Sequence, residues 1–211
     1  MVRFAERGRY AQVCRRSREG ERALLEVKDL ELGGVRLITP NRFGDDRGFF
    51  SEVYNRRAFT EVGIMDEFVQ DNHSLSGDVG TVRGLHFQIE PHPIAKLVRV
   101  TSGAMFDVVV DIRRGSPSYG NHLTVELSET NWAQLYVPVG FAHGFCTLEP
   151  NTEVEYKVTD YWSPDVDKGV AWDDPDLGIT WPVAHNEAAL SDKDLAQPKF
   201  SSLPTHFTWQ P

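Results

Sequence analysis

Short runs rich in Val, Phe, Thr and Tyr recur along the chain from Leu25 onward, separated by Gly, Pro, Asn and Ser. In residues 152–159, Val154, Tyr156 and Val158 alternate with charged side chains, as they would in a strand with one buried face. Many short strands at regular spacing are typical of a β-sandwich, jelly roll or barrel. The pattern therefore predicts an all-β protein.

The clearest strand candidates are residues 96–100, 105–112, 122–127, 134–137 and 152–159. Two segments, residues 56–63 and 128–134, are expected to form short helices, and neither is amphipathic enough to build a helical layer. The sequence has no internal repeat and no low-complexity linker. We therefore expect one domain, spanning residues 25–211.

Composition narrows the range of partners. The 211 residues include 22 Lys and Arg against 31 Asp and Glu, a formal net charge of -9, which argues against a nucleic-acid partner. No apolar run approaches the ~18 residues of a transmembrane helix, so no membrane association is expected. The two cysteines, Cys14 and Cys146, do not make a disulfide framework, and no signal-peptide pattern opens the chain. A cytoplasmic protein is predicted, with Cys146 as a small buried residue.

The first 22 residues differ from the rest, because they hold seven Arg and three Glu and so carry a local charge of +4. Such a segment could be a solvated tail, a nucleic-acid arm or the result of an upstream start codon. We expect residues 1–24 to be a weakly ordered or incidental extension.

Polar residues interrupt the apolar pattern in three segments, residues 83–88, 95–98 and 140–145, which carry His86, Lys96 and His143. Inward-facing polar side chains of a β-barrel are costly unless they face a ligand cavity. Gly84 would allow a close approach of the backbone beside His86. A single histidine of this kind is more often a core residue, but three such segments in one small domain favour a site.

A metal site is the first chemistry to weigh, since clustered histidines in a jelly roll often bind iron, zinc or manganese. The second position after His86 is Gln88, the next histidine is His92 beside prolines, and the ammonium of Lys96 would repel a cation. We therefore predict no metal and no cofactor. A metal-dependent cupin, such as a dioxygenase or isomerase using His86, His92 and His143, remains the alternative.

Without a metal, the polar set suits proton transfer. A histidine base, a tyrosine acid and a lysine that stabilises an enolate would serve deprotonation next to a carbonyl group. Asp194 could orient a histidine, although its surroundings, residues 191–194, are equally typical of a solvated surface turn.

Several longer motifs follow one another at a specific spacing. They include FGDDRGFFSE at 43–52, QDNHS at 70–74, RGLHFQ at 83–88, KLV at 96–98, FDVVVDIR at 106–113, SPSYG at 116–120, PVGFAHGF at 138–145, YKVTDY at 156–161 and WDDP at 172–175. Together they resemble the dTDP-4-dehydrorhamnose 3,5-epimerase family, cupin-type enzymes of nucleotide-sugar metabolism, over about residues 35–198. The resemblance implies a cupin-type double-stranded jelly roll with a few short helices.

The resemblance also implies roles for individual residues. His86 matches the general base, Asp194 its partner carboxylate, Tyr156 the proton donor on the opposite face of the sugar, and Lys96 the group that stabilises the enolate oxygen. The substrate-binding positions are matched by Arg47, Glu52, Gln70, Asp71, Asn72, Arg83, His143, Tyr161, Asp167 and Lys193, with Tyr161 stacking on thymine. The chain departs from the family pattern at Trp162, where a second tyrosine is common, and at Asp167, where Glu is common.

The activity implied is a cofactor-free epimerisation at carbons 3 and 5 of a dTDP-4-keto-6-deoxy-hexose, which converts dTDP-4-dehydro-6-deoxyglucose to dTDP-4-dehydrorhamnose. Inversion at carbon 3 or carbon 5 alone stays open, and a sugar-nucleotide-binding cupin without catalysis is a third reading. The resemblance further implies a homodimer paired through an N-terminal strand, with residues 49–54 near the partner's pocket.

Overall fold

Two antiparallel β-sheets pack face to face in the computed structural model, which describes residues 24–211. The predicted extension therefore lies outside the described residues, except for Leu24. The strands are β1 (Leu25–Asp29), β2 (Arg36–Pro40), β3 (Phe43–Asp45), β4 (Gly48–Phe50), β5 (Gln70–Ser76), β6 (Val82–Gln88), β7 (Lys96–Ser102), β8 (Ala104–Asp111), β9 (Arg113–Arg114), β10 (His122–Ser128), β11 (Gln134–Val137), β12 (Phe141–Thr147), β13 (Thr152–Val158), β14 (Asp167–Gly169) and β15 (Phe207–Thr208). The helices are α1 (Arg56–Glu61), α2 (Asp192–Leu195) and a 3-10 turn (Phe200–Ser202).

The strand order is that of a jelly roll. The larger sheet runs β1-β2-β11-β7-β13-β5 and the smaller one β10-β8-β12-β6-β14, so that neighbours in space are mostly distant in sequence. Strands β3 and β4 form a separate hairpin, and β15 pairs with β9 in parallel. The expected all-β jelly roll is confirmed.

The core lies between the two sheets, where Val98, Val154 and Leu135 of the larger sheet pack on Met105 and Val109 of the smaller one. The outer faces are also covered. Helix α1 packs on the larger sheet through Phe59, and the C-terminal segment covers the smaller sheet. Burial of both faces explains why apolar runs such as the one in β8 do not alternate strictly with polar residues.

The five predicted strands are confirmed as β7, β8, β10, β11 and β13. The helix expected in residues 56–63 is confirmed as α1, and Asn55 caps it by accepting hydrogen bonds from the backbone N–H groups of Arg57 and Ala58. Cys146 is buried and free, as expected.

The helix expected in residues 128–134 is wrong, since this segment is a turn between β10 and β11. The Asn131 side chain accepts hydrogen bonds from the backbone N–H groups of Ser128 and Ala133, at 3.1 and 3.0 Å, and Trp132 adopts a positive φ of 59°. These local side-chain bonds compete with helical ones and close a turn.

Within residues 24–211, the longest helices fall far short of a bilayer's thickness, and a membrane-spanning helix is not found.

Candidate active site

One cavity opens between the two sheets, and the strand periodicity decides which side chains face it. In β7 and β13, Val98 and Val154 belong to the core, so Lys96 and Tyr156, two residues away from them, point to the same inner face. In β12, the same rule places His143 beside the inward-facing Phe145, and His86 of β6 is the register partner of His143. The cavity has a volume of about 350 Å³.

The cavity is lined by polar side chains from both sheets and from the C-terminal segment. They are Gln70, Asn72, Ser74, Arg83, His86, Gln88, Lys96, His143, Tyr156, Trp162, Asp167, Ser191, Lys193 and Asp194. All four predicted catalytic residues lie in this set. Six of the ten predicted substrate-binding residues also lie in it, namely Gln70, Asn72, Arg83, His143, Asp167 and Lys193.

Two glycines bring β6 and β12 unusually close together beside the histidines. A Cβ atom on Gly84 would lie 2.5 Å from the Cα of Gly144, and one on Gly144 would lie 2.7 Å from the carbonyl oxygen of Arg83. Gly84 also has a φ of +132°, which side chains rarely adopt. The close approach expected from Gly84 is thereby confirmed, and it sets His86 against His143 across the two strands.

His86 and Asp194 form a hydrogen-bonded pair, with Nε2 of the histidine 2.5 Å from Oδ1 of the aspartate. Asp194 lies in the single turn of α2 and is only 5% exposed, so the reading of residues 191–194 as a solvated surface turn is wrong for this side chain. Ser191 caps the turn, accepting from the Asp194 backbone N–H and donating to Oδ2 at 2.7 Å. Burial alone would raise the pKa of Asp194, but the hydrogen bonds from His86 and Ser191 outweigh it and lower the pKa below its usual value.

An ionised Asp194 determines which ring nitrogen of neutral His86 carries the hydrogen. Because the carboxylate only accepts hydrogen bonds, Nε2 of the neutral ring carries the hydrogen and Nδ1 keeps the lone pair. The orientation of the His86 ring is therefore set by a buried carboxylate.

Lys96 is buried, with 8% of its surface exposed, and its ammonium group donates to the carbonyl oxygen of His86 at 3.2 Å. Burial lowers its pKa to about 8, while the negative charges of Asp167 and Asp107 work in the opposite direction. At neutral pH this amine is still protonated, and it places a poorly solvated positive charge against the cavity.

His143 forms a second pair with Asp107, Nε2 lying 2.9 Å from Oδ2. Asp107 is fully buried, and its Oδ1 has no hydrogen-bond partner. Burial lowers the pKa of His143, an effect that the charge of Asp107 partly opposes. A neutral His143 with its Nε2–H held by Asp107 leaves Nδ1 as an acceptor.

Tyr156 reaches the cavity from the larger sheet, whereas His86 reaches it from the smaller one. Burial raises the pKa of the Tyr156 phenol, and the charge of Asp167 adds to this effect while that of Arg83 opposes it. The phenol is thus protonated at neutral pH, and it lies on the wall opposite His86.

The mouth of the cavity is formed by charged and aromatic residues. Asp167 accepts hydrogen bonds from the Lys193 ammonium and from the Trp162 indole. Trp162 itself lines the cavity, whereas Tyr161 is 65% exposed and does not. Of these two adjacent aromatics, only Trp162, where the chain departs from the family pattern, lines the cavity.

Four predicted binding residues do not line this cavity. Arg47, at the tip of the β3–β4 hairpin, has a side chain that is 89% exposed and is bonded to Asp45. Glu52 accepts from Asn55, and Asp71 points to the outer face of the larger sheet, where it pairs with Lys157 at 2.7 Å. Tyr161 is the fourth.

Four polar residues of the cavity lining were not predicted as site residues, namely Ser74, Gln88, Trp162 and Ser191, and neither was Asp107, the partner of His143. Asp107 lies in the apolar run of β8, two residues from Met105 and from Val109, and so faces the same side of the sheet as these core residues. A charged residue at such a position indicates a polar site in the interior. The Ser74 hydroxyl is buried without a partner in the cavity wall, and nothing in its local sequence marks it.

The three histidines of the metal-dependent alternative, His86, His92 and His143, do not lie in one site. His92 lies outside the cavity lining, and its Nδ1 is 3.0 Å from Oδ2 of Asp160. Across residues 24–211, no cluster of three or more His, Cys, Asp or Glu side chains has the arrangement needed to hold a metal ion.

A jelly roll whose interior cavity brings together an oriented histidine, a protonated phenol and a buried ammonium has the architecture of a cupin-type enzyme and side chains suited to proton transfer. Residues 29–202 match the family model described as dTDP-4-dehydrorhamnose 3,5-epimerase. The chain belongs to this family, whose members are isomerases.

The relatives cover nearly the whole described chain. The dTDP-4-dehydrorhamnose 3,5-epimerase of Sinorhizobium fredii is 51% identical over 182 residues, 86% of this chain and 93% of the relative. A crystal structure of the Bacillus anthracis enzyme with TDP and PPi bound is 48% identical, has a TM-score of 0.81 and covers 83% of this chain and 99% of its own. The structure of the Legionella pneumophila dTDP-6-deoxy-D-glucose-3,5-epimerase, in complex with dTDP-4-keto-L-rhamnose, is 38% identical and has a TM-score of 0.84. The match covers 89% of this chain and 100% of the Legionella chain.

Proposed function

We propose that this protein inverts carbons 3 and 5 of a dTDP-4-keto-6-deoxy-hexose, converting dTDP-4-dehydro-6-deoxyglucose to dTDP-4-dehydrorhamnose without a cofactor. The observation that carries the proposal is that His86 and Tyr156 line one cavity from opposite sheets, together with the buried ammonium of Lys96. Inversion at carbon requires removal of a proton from one face and return of a proton to the other, and this arrangement supplies both.

The first step is deprotonation next to the 4-keto group. The lone pair on Nδ1 of His86 takes the proton from carbon 3 or carbon 5, and the electrons of the broken C–H bond form the enolate with its negative charge on the carbonyl oxygen. The His86–Asp194 hydrogen bond stabilises the imidazolium that results.

Lys96 lowers the barrier to this step. A proton next to a ketone is far too weakly acidic for imidazole to remove efficiently at neutral pH, unless the developing oxyanion is stabilised. An ammonium already stripped of most of its water interacts with that oxyanion more strongly than a solvated one would. His143, held by Asp107, offers a further polar contact in the same cavity.

Tyr156 completes the inversion. Its phenol donates a proton to the enolate carbon from the wall opposite His86, and the carbonyl re-forms. The resulting phenolate takes a proton from solvent and the imidazolium of His86 releases one to solvent, so that both groups return to their starting states. The raised pKa of Tyr156 suits a donor that must be protonated when the enolate forms. The same cycle repeats at the second carbon.

The nucleotide end binds at the mouth of the cavity. Arg83 and Lys193 supply positive charge for the diphosphate despite the acidic composition of the chain, because local cations and not net charge bind an anion. We place the thymine against Trp162, which lines the cavity, and not against Tyr161. Gln70 and Asn72 are linked by a 2.8 Å hydrogen bond and offer further donors and acceptors.

Arg47 and Glu52 fit this function if the protein is a homodimer, which we also propose. The β3–β4 hairpin carries two exposed phenylalanines, Phe49 and Phe50, beside Arg47, and such a surface suits contact with a second copy. In the dimer the hairpin supplies Arg47 to the partner's cavity.

A cytoplasmic location is proposed as well, in keeping with the buried free thiol of Cys146.

The test is turnover of dTDP-4-keto-6-deoxyglucose followed by proton NMR, with the His86→Asn variant as control. We expect the wild type to form the doubly inverted sugar and the variant to form none. A product inverted at one carbon only would establish a mono-epimerase. Turnover that needs iron or manganese would support the metal-dependent alternative, and tight dTDP binding without turnover would support a binding protein.

A further inference from the structure

The carboxylate of Asp194 is held on both sides, because its two oxygens accept hydrogen bonds from different donors. Nε2 of His86 lies 2.5 Å from Oδ1, and the Ser191 hydroxyl donates to Oδ2 at 2.7 Å. The same hydroxyl oxygen accepts from the backbone N–H of Asp194 at 3.2 Å. A serine hydroxyl carries a single hydrogen, so the bond to Oδ2 commits that hydrogen to the carboxylate.

The helical turn α2, which carries the aspartate, is anchored by the chain on either side of it. Before the turn, Ala189 forms a parallel bridge with Thr81, next to the start of β6. After the turn, the carbonyl oxygen of Pro198 accepts from the backbone N–H of Ala171 at 2.8 Å. Because these contacts place the backbone against β6, the freedom left to the carboxylate is rotation of its side chain, and the serine hydroxyl restricts that rotation.

The Ser191 hydroxyl also acts on the charge of the pair. Burial would raise the pKa of Asp194, and the hydrogen bond from Ser191 is, after that from His86, the largest of the effects that lower it. A donor on Oδ2 draws negative charge away from Oδ1, the oxygen that faces the imidazole. Without that donor, Oδ1 would carry more of the charge and would hold the imidazolium form of His86 more tightly.

We propose that Ser191 is a positioning residue of the proton-transfer site, whose hydroxyl fixes the Asp194 carboxylate so that Oδ1 keeps the His86 ring aimed into the cavity. The inference rests on the proposed function for the reaction that His86 performs. Although Ser191 lines the cavity, its hydrogen is used by Oδ2. Ser191 therefore acts through Asp194 and exchanges no proton with the sugar.

The test compares Ser191→Ala, which removes the hydroxyl, with Ser191→Thr, which keeps it. We expect Ser191→Ala to lower kcat about tenfold with KM within about twofold, because the base is misoriented while the binding groups are untouched. The acid limb of kcat/KM should move to higher pH, since the imidazolium is held more tightly. Ser191→Thr should keep at least about half of the wild-type kcat and an unmoved limb. A loss of folded enzyme alone would lower the rate at every pH without moving the limb.

Ser128→Ala is the matched control, because the Ser128 hydroxyl accepts from the backbone N–H three residues on, that of Asn131, at 3.1 Å and lies outside the cavity lining. It should change neither kcat nor the acid limb. If Ser191→Ala fails to fold, Ser191→Gly takes its place, since glycine costs little at a helix N-cap.

A proton resonance gives a readout that does not depend on turnover. In the ¹⁵N-labelled wild type, the Nε2–H of His86 is assigned by its absence from His86→Asn. In Ser191→Ala this hydrogen should exchange with water about fivefold faster, because one supporting hydrogen bond is lost. Its exchange should be unchanged in Ser128→Ala.

Two failures are distinguishable. A Ser191→Ala enzyme with wild-type kcat and an unmoved acid limb, or a Ser191→Thr enzyme no better than it, would overturn the positioning role and leave the proposed function intact. An equal fall of kcat in Ser128→Ala would overturn it too. A wild type that does not turn over the keto-sugar would overturn the proposed function itself, and the exchange of the His86 Nε2–H would then decide whether Ser191 orients the ring.

Discussion

His86 and Tyr156 lie on opposite sheets of the sandwich, on β6 and β13, and line the same cavity. Their separation is a consequence of the fold, because inward-facing positions of two packed sheets confront each other across the interior. Opposed side chains of this kind place a base and an acid on the two faces of any flat intermediate held between them.

Removing the base should abolish turnover. We expect His86→Asn to lower kcat at least about 10³-fold and Asp194→Asn about 10²-fold, because the first loses the proton acceptor and the second only its orienting carboxylate. Steady-state kinetics on the keto-sugar measures both. His92→Asn is the matched control, since His92 pairs with Asp160 outside the cavity and should retain activity. Loss of activity in that control would favour the metal-dependent reading.

The rate should fall at alkaline pH because Lys96 loses its proton. Burial sets the pKa of this lysine at about 8, so the fraction carrying the ammonium decreases as pH rises through 8. The raised pKa of Tyr156 keeps the phenol protonated over the same range, and the alkaline limb of kcat/KM therefore belongs to Lys96. In Lys96→Arg, whose guanidinium stays charged, the residual rate should lack this limb. An activity that is flat to pH 9.5 in the wild type would contradict the assignment.

The buried ammonium of Lys96 should also lower the free energy of unfolding. Its folded-state pKa of about 8 lies below the ordinary 10.5, so the unfolded chain binds more protons between these values, and stability rises with pH across that window. Below pH 8 the penalty amounts to at most about 3 kcal/mol. We expect Lys96→Met to be inactive and yet to unfold at higher urea concentration than the wild type at pH 7.

Lys157→Met is the comparison for that measurement, because the Lys157 side chain is more exposed and pairs with Asp71. It should give no gain in stability. A Lys96→Met variant less stable than the wild type at pH 7 would show that the buried ammonium is a net stabilising group.

The proposed homodimer makes a prediction for mixed subunits. Arg47→Ala and His86→Asn should each be weakly active or inactive alone. If the hairpin serves the partner's cavity, unfolding and refolding the two together should restore about a quarter of the wild-type rate, since half of the dimers are mixed and each holds one intact site. Without rescue, and with a monomer by light scattering, the dimer proposal would be wrong.

Much of the fold could be predicted because the core strands follow a simple rule. In β13 the alternation of apolar and charged residues predicted both the strand and the buried face that carries Tyr156, whereas Lys96 of β7 was identified as a polar residue among apolar ones. The rule failed at residues 128–134, where Asn131 bonds to the backbone locally and closes a turn.

The site was harder to predict where it depends on loops. Asp194 lies on a single helical turn whose other residues are not buried. Its own burial is decided by the packing of the C-terminal segment against β6 and not by any local pattern. Which of the adjacent aromatics Tyr161 and Trp162 faces the cavity depends on two glutamines that are distant in sequence. Gln88 donates to the carbonyl oxygen of Tyr161, and Gln70 accepts from the backbone N–H of Trp162.

The most direct test of the opposed positions of His86 and Tyr156 is deuterium incorporation from D2O into dTDP-4-keto-6-deoxyglucose, followed by NMR for the wild type and Tyr156→Phe. We expect label at both carbon 3 and carbon 5 of the wild-type product. In Tyr156→Phe, His86 still removes and returns a proton on its own face, so exchange should continue while inversion is lost. Product that forms without label, or inversion by Tyr156→Phe at the wild-type rate, would contradict the claim that His86 and Tyr156 serve opposite faces of one intermediate.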